Sequence, residues 1–181
     1  NPWLDGILGG WSFKGVGRVQ ARMLNFGNVR LIGMTAKDLQ KMYKYYVTEN
    51  ATAPFKTITM LPADVIAQTR AAHSFSSTSV DGYSTALGAP TGRYIAPANS
   101  ANCLQLRAGD CADRTLLIRA PFFTRFDIGV SKRFALRGAS SIEISMEMLN
   151  VFDNVNFNPT IFGPDNSYDD SRIFQVTSAY T

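Results

Sequence analysis

The chain has 181 residues, enough for one domain of ordinary size, and its charged fraction of 18% is low against roughly 25% in typical globular proteins. A net charge of +4, with the basic residues dispersed along the chain, argues against a nucleic-acid partner. No apolar run reaches the roughly 18 residues of a transmembrane helix, and neither a signal peptide nor an initiator methionine is present, so we expect a part of a longer protein.

The first predicted element is a strand over residues 11–22. Its odd-numbered residues are mostly apolar and its even-numbered residues are polar, and this alternation predicts a strand with two distinct faces. The length suits a tilted membrane strand. Gly15 and Gly17 interrupt the apolar face, where they either weaken the strand or mark a bend.

Residues 23–121 mostly lack alternation, and we predict a long connection that contains one or two short helices. A helix over 35–46 is predicted because Thr35 and Asp38 resemble a capping box, with aspartate in place of the usual glutamate. An apolar stripe follows at helical spacing: Leu39, Met42, Tyr43 and Tyr46. We expect this stripe to pack against a neighbouring loop, with ligand recognition as the alternative.

The rest of this connection predicts one more helix and one short strand. Pro62 and Asp64 suit the first turn of a helix over 62–72. Residues 56–60 could form a short strand. Residues 73–101 are rich in Ser, Thr, Gly, Ala and Pro, which predicts an extended loop.

Two cysteines, Cys103 and Cys111, lie in a polar stretch and are predicted to form a disulfide, with two free thiols as the alternative. Such a bond would add about 2–3 kcal/mol and would indicate an oxidising compartment. A metal site is not expected, because the only histidine, His73, lies far from both cysteines.

Residues 122–134 and 142–152 also alternate, and they flank a short break centred on Gly138, which predicts an antiparallel hairpin. Folding about Gly138 places opposed side chains of like character together. The polar pairs are Arg133 with Glu143, Ser131 with Ser145, and Gly129 with Glu147. The apolar pairs are Phe134 with Ile142, Val130 with Met146, and Ile128 with Met148. A register shift of two residues would preserve both faces.

The apolar face of this hairpin could cover a soluble core or face lipid. About 100 residues separate strand 11–22 from strand 122–134, whereas connections in compact soluble sheets usually have ~2–6. Outer-membrane barrels combine short turns on one rim with long loops on the other. We therefore predict that 23–121 and 153–171 are outer loops and that the break at 135–141 is a turn on the opposite rim.

A fourth, imperfect strand is predicted over residues 172–181. One face would carry Phe174, Val176 and Tyr180, and the other Gln175 and Thr177, with Ser178 out of pattern.

Several blocks together resemble the C-terminal end of TonB-dependent outer-membrane receptors. The most specific block, Asn150-Val151-Phe152-Asp153-Asn154, is similar to the family's strand ending Asn-(Val/Leu)-Phe-(Asp/Asn)-Asn. Arg125-Phe126-Asp127 and Lys132-Arg133-Phe134 are similar to its Arg-x-Asp…Lys-x-Phe strand. Residues 9–13, 25–31, 61–66 and 92–99 resemble the Oar-like subgroup, so the resemblance spans essentially the whole chain.

The resemblance implies an all-β, antiparallel transmembrane barrel of about 22 strands in the bacterial outer membrane, with about four strands in this chain. It implies a plug in the lumen and an N-terminal segment that contacts TonB, neither of which lies here. Implied partners are outer-membrane lipid, the plug, the remaining strands, TonB and the barrel-assembly machinery. Members of the family usually end on an aromatic residue, whereas here the aromatic Tyr180 is followed by Thr181.

We expect the two faces of the predicted barrel strands to lie in different environments. The residues predicted to face the lumen are Lys14, Arg18, Arg22, Arg125, Asp127, Arg133, Glu143 and Glu147. We expect these charges to pair with one another, most clearly Arg133 with Glu143, the alternative being contact with a plug or a solute. The residues predicted to face lipid are Ile128, Val130, Ile144, Met146 and Met148.

Two further groups have less specific predictions. The aromatic residues expected to form interfacial girdles, rather than a sugar-stacking patch, are Trp11, Phe126, Phe134, Phe152 and Tyr180. Residues 165–170 begin like a calcium loop, but they lack its glycine and distal glutamate. We expect a solvated outer loop there.

No nucleophile elbow, P-loop or dinucleotide fingerprint occurs, so neither enzymatic activity nor a cofactor is expected. The predicted function is energy-coupled uptake of a scarce solute by a TonB-dependent receptor. The alternatives are an outer-membrane barrel for adhesion or surface interaction, and a soluble β-rich carbohydrate-binding module.

Overall fold

The computed structural model describes residues 7–49, 54–100, 103–112, 115–162 and 167–180. The strands in these ranges are β1 (Trp11–Gln20), β2 (Met23–Asn25), β3 (Val29–Ile32), β4 (Tyr46–Glu49), β5 (Lys56–Thr59), β6 (Tyr94–Pro97), β7 (Leu117–Arg119), β8 (Phe123–Ala135), β9 (Ser141–Met148), β10 (Asn156–Phe157) and β11 (Ala179–Tyr180). The helices are α1 (Ala36–Met42) and α2 (Ala63–His73).

The chain divides into two compact units. Residues 7–20 and 122–156 form one, here named the sheet unit. Residues 21–121 and 157–179 form the other, here named the connecting unit, because 21–121 join β1 to β8 in the sequence.

The sheet unit is an antiparallel sheet in the order β1-β8-β9. The register of the predicted hairpin is confirmed: Arg133 lies opposite Glu143, and Val130 lies opposite Met146. β1 pairs along its whole length with β8, from Trp11 opposite Lys132 to Gln20 opposite Phe123. Odd-numbered residues of β1 therefore share a face with even-numbered residues of β8 and β9.

Three details of this sheet differ from the predictions. β1 ends at Gln20 instead of residue 22, so Arg22 lies beyond the strand. β9 ends at Met148, because Asn150 adopts a φ of +50° and turns the chain. β1 continues through Gly17, where a Cβ would lie 2.7 Å from the Phe126 ring, so this glycine makes room for that ring.

The connecting unit has its own hydrophobic core and more strands than the single short one predicted over 56–60. Three two-stranded antiparallel sheets pair β2 with β7, β3 with β6, and β4 with β5. The extended loop predicted over 73–101 contains β6, which pairs with β3. The buried side chains of the core are Leu24, Phe26, Val29, Leu39, Tyr43, Met60, Leu61, Val65, Ile95, Ile118, Ala120, Ile161, Ile173 and Phe174.

Both predicted helices are present with altered ends. The capping box at α1 is confirmed, since the Thr35 side chain accepts from the Asp38 backbone and the Asp38 carboxylate accepts from the Thr35 backbone. α1 ends at Met42, and Tyr46 already begins β4, so the helix is shorter than 35–46. α2 begins directly after Pro62, as predicted, and ends at His73.

The strand predicted over 172–181 is wrong except for its last residues. Residues 171–174 form a turn, and only Ala179–Tyr180 is a strand. Phe174 has a φ of +58° and is completely buried, stacking 6.0 Å from Phe26. Burial of Phe174 in the connecting unit therefore outweighs the alternating pattern.

Candidate functional site

The charged face of the sheet carries two ion pairs. Arg133 Nη2 lies 3.0 Å from Glu143 Oε2, across the hairpin, as predicted. Arg125 Nε lies 3.0 Å from Asp127 Oδ1 on the same strand. These four predicted lumen residues therefore neutralise one another in pairs, which is the structural role that the sequence favoured for them.

Arg18 lies directly opposite Arg125, and the two guanidinium groups have different partners, Gln20 and Asp127. Arg18 donates to Gln20 Oε1 from both Nε (3.1 Å) and Nη2 (2.6 Å), and its guanidinium lies 5.2 Å from the centroid of the Phe123 ring. Like charges opposed in a sheet are destabilising, and these local partners reduce that cost.

Lys14 and Glu147 lie on either side of Gly129 on the same face. A Cβ at Gly129 would lie 3.6 Å from Lys14 Cβ and 3.8 Å from Glu147 Cγ. Within the described residues neither charge forms an ion pair. Arg22, the remaining predicted lumen residue, is separate from this face: it belongs to the connecting unit, where its Nη1 lies 3.5 Å from Asn158 Oδ1.

The opposite face of the sheet is apolar and largely exposed in the described residues. The large exposed side chains on it are Trp11, Phe13, Val19, Phe134, Ile142, Ile144, Met146 and Met148. Ile128 and Val130 lie between them and are half-buried. The five residues predicted to face lipid thus share one continuous face. An apolar surface of this extent usually marks contact with a membrane or another protein.

Lys132 lies on this apolar face and was missed by the sequence reasoning. It is only 6% exposed, although lysine is seldom buried. Its Nζ donates to Ile7 O (2.6 Å) and Gly9 O (2.8 Å) and lies 4.8 Å from the centroid of the Trp11 ring. The signal in the sequence was a cation between Val130 and Phe134 in the apolar half of the alternation.

The block 150–154, the most specific part of the family resemblance, forms a turn held by its own side chains. Asn150 Nδ2 donates to Asn154 O (3.0 Å), and Asn154 N donates to Asn150 Oδ1 (3.2 Å). Asn150 N donates to Asp127 Oδ1 (2.8 Å), and Val151 N donates to Phe126 O (2.8 Å). These hydrogen bonds hold the turn against β8, so the contacts of this block are structural.

The Phe152 side chain reinforces the same attachment. Its ring packs edge-on against Phe126, 5.3 Å between centroids, while Phe126 itself covers Gly17 of β1. Of the five aromatic residues predicted as girdles, Trp11 and Phe134 flank Lys132, and Phe126 and Phe152 pack together. The Tyr180 side chain lies outside the described part.

The connecting unit contains a cavity of about 430 Å³ beside β3. It is lined by Val29, Arg30, Leu31, Ile32, Met34, Ala36, Gly109, Asp110, Cys111, Ala112 and Leu116. The predicted disulfide between Cys103 and Cys111 is formed, with Cα atoms 6.0 Å apart, and it fixes the loop on one side of the cavity. Sequence reasoning did not single out Arg30 or Asp110.

Several titratable groups of the connecting unit are shifted by burial. Burial raises the pKa of the Tyr43 phenol well above its ordinary range, and its hydroxyl donates to Thr160 O (2.8 Å). Burial lowers the pKa of the His73 imidazole below 6.5, although a hydrogen bond with Thr69 O opposes the shift. The His73 ring stacks 4.5 Å from Tyr168. These groups support the core, and they do not form an acid–base pair in the described residues.

The remaining candidates are assigned as follows. In the α1 stripe, Leu39 and Tyr43 are buried in the core, so it packs as expected. Asp165 and Asn166 of the calcium-like loop lie outside the described residues, and Ser167 Oγ donates to Asp169 Oδ1. In the described ranges no three His, Cys, Asp or Glu residues cluster as metal ligands would. Neither α1 nor α2 has the length or hydropathy to cross a membrane.

The sheet unit has the properties of a membrane β-barrel wall: long antiparallel strands, one exposed apolar face and one charged face. The family model of the outer membrane beta barrel domain matches residues 1–181, and the chain therefore belongs to that family. Membership places the protein in the bacterial outer membrane, as predicted. No curated protein and no solved structure matched the chain.

Proposed function

We propose that this chain is part of a TonB-dependent outer-membrane transporter that takes up a scarce solute with energy supplied through TonB. In this role the sheet unit is barrel wall and the connecting unit is solute-capturing surface on the outer rim. The chain itself performs no covalent chemistry and holds no cofactor. Membership of the outer membrane barrel family supports the setting.

The folded connecting unit is the observation that carries this proposal. It is inserted between β1 and β8, which are direct neighbours in the sheet. A connection that served only to close a barrel strand pair needs a few residues. A long connection with its own buried core, a disulfide and a cavity instead suits a preformed binding surface.

The proposal also assigns an environment to each face of the sheet. Ile128, Val130, Ile144, Met146 and Met148 contact lipid, which would remove the exposed apolar face from water. The charged face lines the lumen, where the Arg133–Glu143 pair stays hydrated. Cysteines introduced at positions 130 and 146 should resist aqueous thiol reagents in membranes, and those at 129 and 145 should be labelled. The reverse pattern would reject the assignment.

The partners in this role are outer-membrane lipid, a plug domain, further barrel strands, TonB and the barrel-assembly machinery. No nucleic acid is among the proposed partners. Each is proposed from the resemblance of residues 125–134 and 150–154 to TonB-dependent receptors. Because a plug and a TonB-contacting segment would lie N-terminal to this chain, the upstream coding sequence tests them directly.

The uptake experiment compares cells that have the intact protein with cells that lack residues 21–121 of this chain. Solutes remaining in a defined medium are profiled with and without a protonophore. We expect at least one solute to be depleted only when the intact protein and the proton motive force are both present. Depletion that persists with the protonophore would refute TonB-dependent transport.

Adhesion is the second candidate, because a folded unit on the outer rim could equally bind a surface. In that role, deletion of 21–121 would abolish cell attachment and leave every solute unchanged. The soluble carbohydrate-binding module does not fit membership of an outer membrane barrel family.

A further inference from the structure

We propose that the cavity beside β3 binds a short aliphatic peptide with free termini, whose carboxylate contacts Arg30 and whose ammonium contacts Asp110. This inference rests on the proposed function in one respect, that the peptide would be the captured solute. The binding step can be tested without transport.

The guanidinium group of Arg30 lacks a complete set of partners. Its Nη2 donates to Ser100 Oγ, while its Nε is buried and has no acceptor. Within the described residues no carboxylate pairs with it. The buried Nε is closed to a ligand, but the guanidinium group as a whole is a cation without a carboxylate partner, and a ligand carboxylate in the cavity would supply one.

Asp110 supplies an opposite charge at the same cavity. It is exposed, and its Oδ2 accepts from Arg107 N (2.7 Å), which orients the carboxylate. Aliphatic side chains also contribute to the lining: Val29, Leu31, Ile32, Met34, Ala36, Ala112 and Leu116. A ligand with one cationic end, one anionic end and aliphatic groups between them matches this distribution.

The way β3 borders the cavity favours an extended peptide over other zwitterions. Four successive residues, 29–32, line the cavity, whereas one face of a strand would contribute only every second residue. The cavity therefore lies along the strand edge. In the described residues β3 pairs only with β6, so its other edge has backbone donors and acceptors for an added strand.

The disulfide makes this site preformed. Cys111 lines the cavity and is bonded to Cys103, so residues 103–111 are closed into a small loop. A constrained loop loses less entropy on binding. The volume of about 430 Å³ suits a ligand of two or three residues and lies in the range of small-molecule pockets.

The test is isothermal titration calorimetry of the intact protein in detergent with the tripeptide Ala-Leu-Ala, its C-terminal amide and its N-acetyl derivative. We expect Ala-Leu-Ala to bind at least about tenfold more tightly than either blocked peptide, because each block removes one charge-assisted contact. Equal binding of the three peptides, or no binding by folded protein, would overturn the proposal.

Substitutions assign each terminus to its residue. Arg30→Gln should remove the preference for the free carboxylate, and Asp110→Asn should remove the preference for the free amine. Arg137→Gln takes the same charge from the hairpin turn and should leave all three affinities unchanged. Heat-modifiable mobility and disulfide content confirm folding. If Arg30→Gln does not fold, the blocked peptides on the unaltered protein still decide.

Failure of this site and failure of transport give different results. Binding of Ala-Leu-Ala without energy-dependent uptake would reject the transport role and keep the site. Uptake of a solute that Ala-Leu-Ala does not inhibit would keep transport and reject the site.

Discussion

Replacing Lys132 with methionine tests whether a buried cation stabilises the apolar face of the sheet. Methionine has a similar length and suits lipid, but it donates no hydrogen bond. The substitution removes the donors that Nζ gives to Ile7 O (2.6 Å) and Gly9 O (2.8 Å). It also removes the cation beside the Trp11 and Phe134 rings.

The expected magnitude follows from two opposing contributions. Two hydrogen bonds from a charged donor contribute about 1.5–3 kcal/mol each, and the aromatic contacts add about 1 kcal/mol. A lipid-facing lysine costs about 2–4 kcal/mol at the bilayer midplane but only about 0–1 kcal/mol near an interface. Lys132 lies three residues before the end of β8 at Ala135, about 10 Å along the strand, so the lower cost applies.

We therefore expect Lys132→Met to lower the free energy of unfolding by about 3–7 kcal/mol. The measurement is guanidinium unfolding of the intact protein in lipid vesicles, followed by tryptophan fluorescence, because Trp11 touches Lys132. Lys14→Met is the matched control: it removes a cation from the other face and should change stability by less than about 0.5 kcal/mol. A Lys132→Met protein as stable as the unaltered one would refute the reasoning.

Four further predictions concern the turn, the disulfide, the histidine and the hairpin ion pair. Asn150→Ala should cost about 2–3 kcal/mol in guanidinium unfolding, because it breaks both bonds to Asn154 and leaves alanine at a φ of +50°; a smaller loss in Asn150→Gly would separate the two causes. Cys103→Ser should lower the stability of the connecting unit by about 2–3 kcal/mol and make its thermal unfolding insensitive to reductant; continued sensitivity would contradict the disulfide. Acidification from about pH 7.5 to 5.5 should destabilise the connecting unit, because the pKa of the buried His73 lies below 6.5 and the unfolded state binds the proton first. His73→Gln should flatten that dependence, since His73 is the only histidine, and an unchanged slope would exclude it as the cause. Arg133→Ala should cost no more than about 1 kcal/mol in the same unfolding assay, because its ion pair with Glu143 is exposed to solvent, and a larger loss would indicate a less hydrated pair.

The sequence predicted the hairpin well because local rules determine it. Alternation fixes the faces of β8 and β9, and the short turn around Gly138 limits the register. The same rule failed for residues 172–181. Alternation there predicts only which face each side chain would take in a strand. It carries no information about the burial of Ile173 and Phe174 in a core formed by distant segments.

The cavity beside β3 could not have been predicted from the sequence. Arg30 and Asp110 are separated by about 80 residues in the sequence, and they line one cavity only once the chain has folded. Nothing in the local sequence around Arg30 distinguishes it from the other dispersed basic residues. Lys132, by contrast, was missed although the pattern could have identified it, since a cation in the apolar half of an alternating strand requires nearby acceptors.

The charged face of the sheet separates into two kinds of residue, and this separation limits where that face could contact a plug or a solute. Arg125, Asp127, Arg133 and Glu143 are each satisfied by a partner within the sheet. Lys14 and Glu147 form no ion pair in the described residues, and Gly129 places no side chain between them. An ion pair must be broken before its members bind anything else, and Lys14 and Glu147 have no ion pair to break, although the Lys14 charge also acts on Glu143. If this face lines a barrel lumen as proposed, a contact with a plug or a solute should be centred on Lys14 and Glu147, between the two ion pairs.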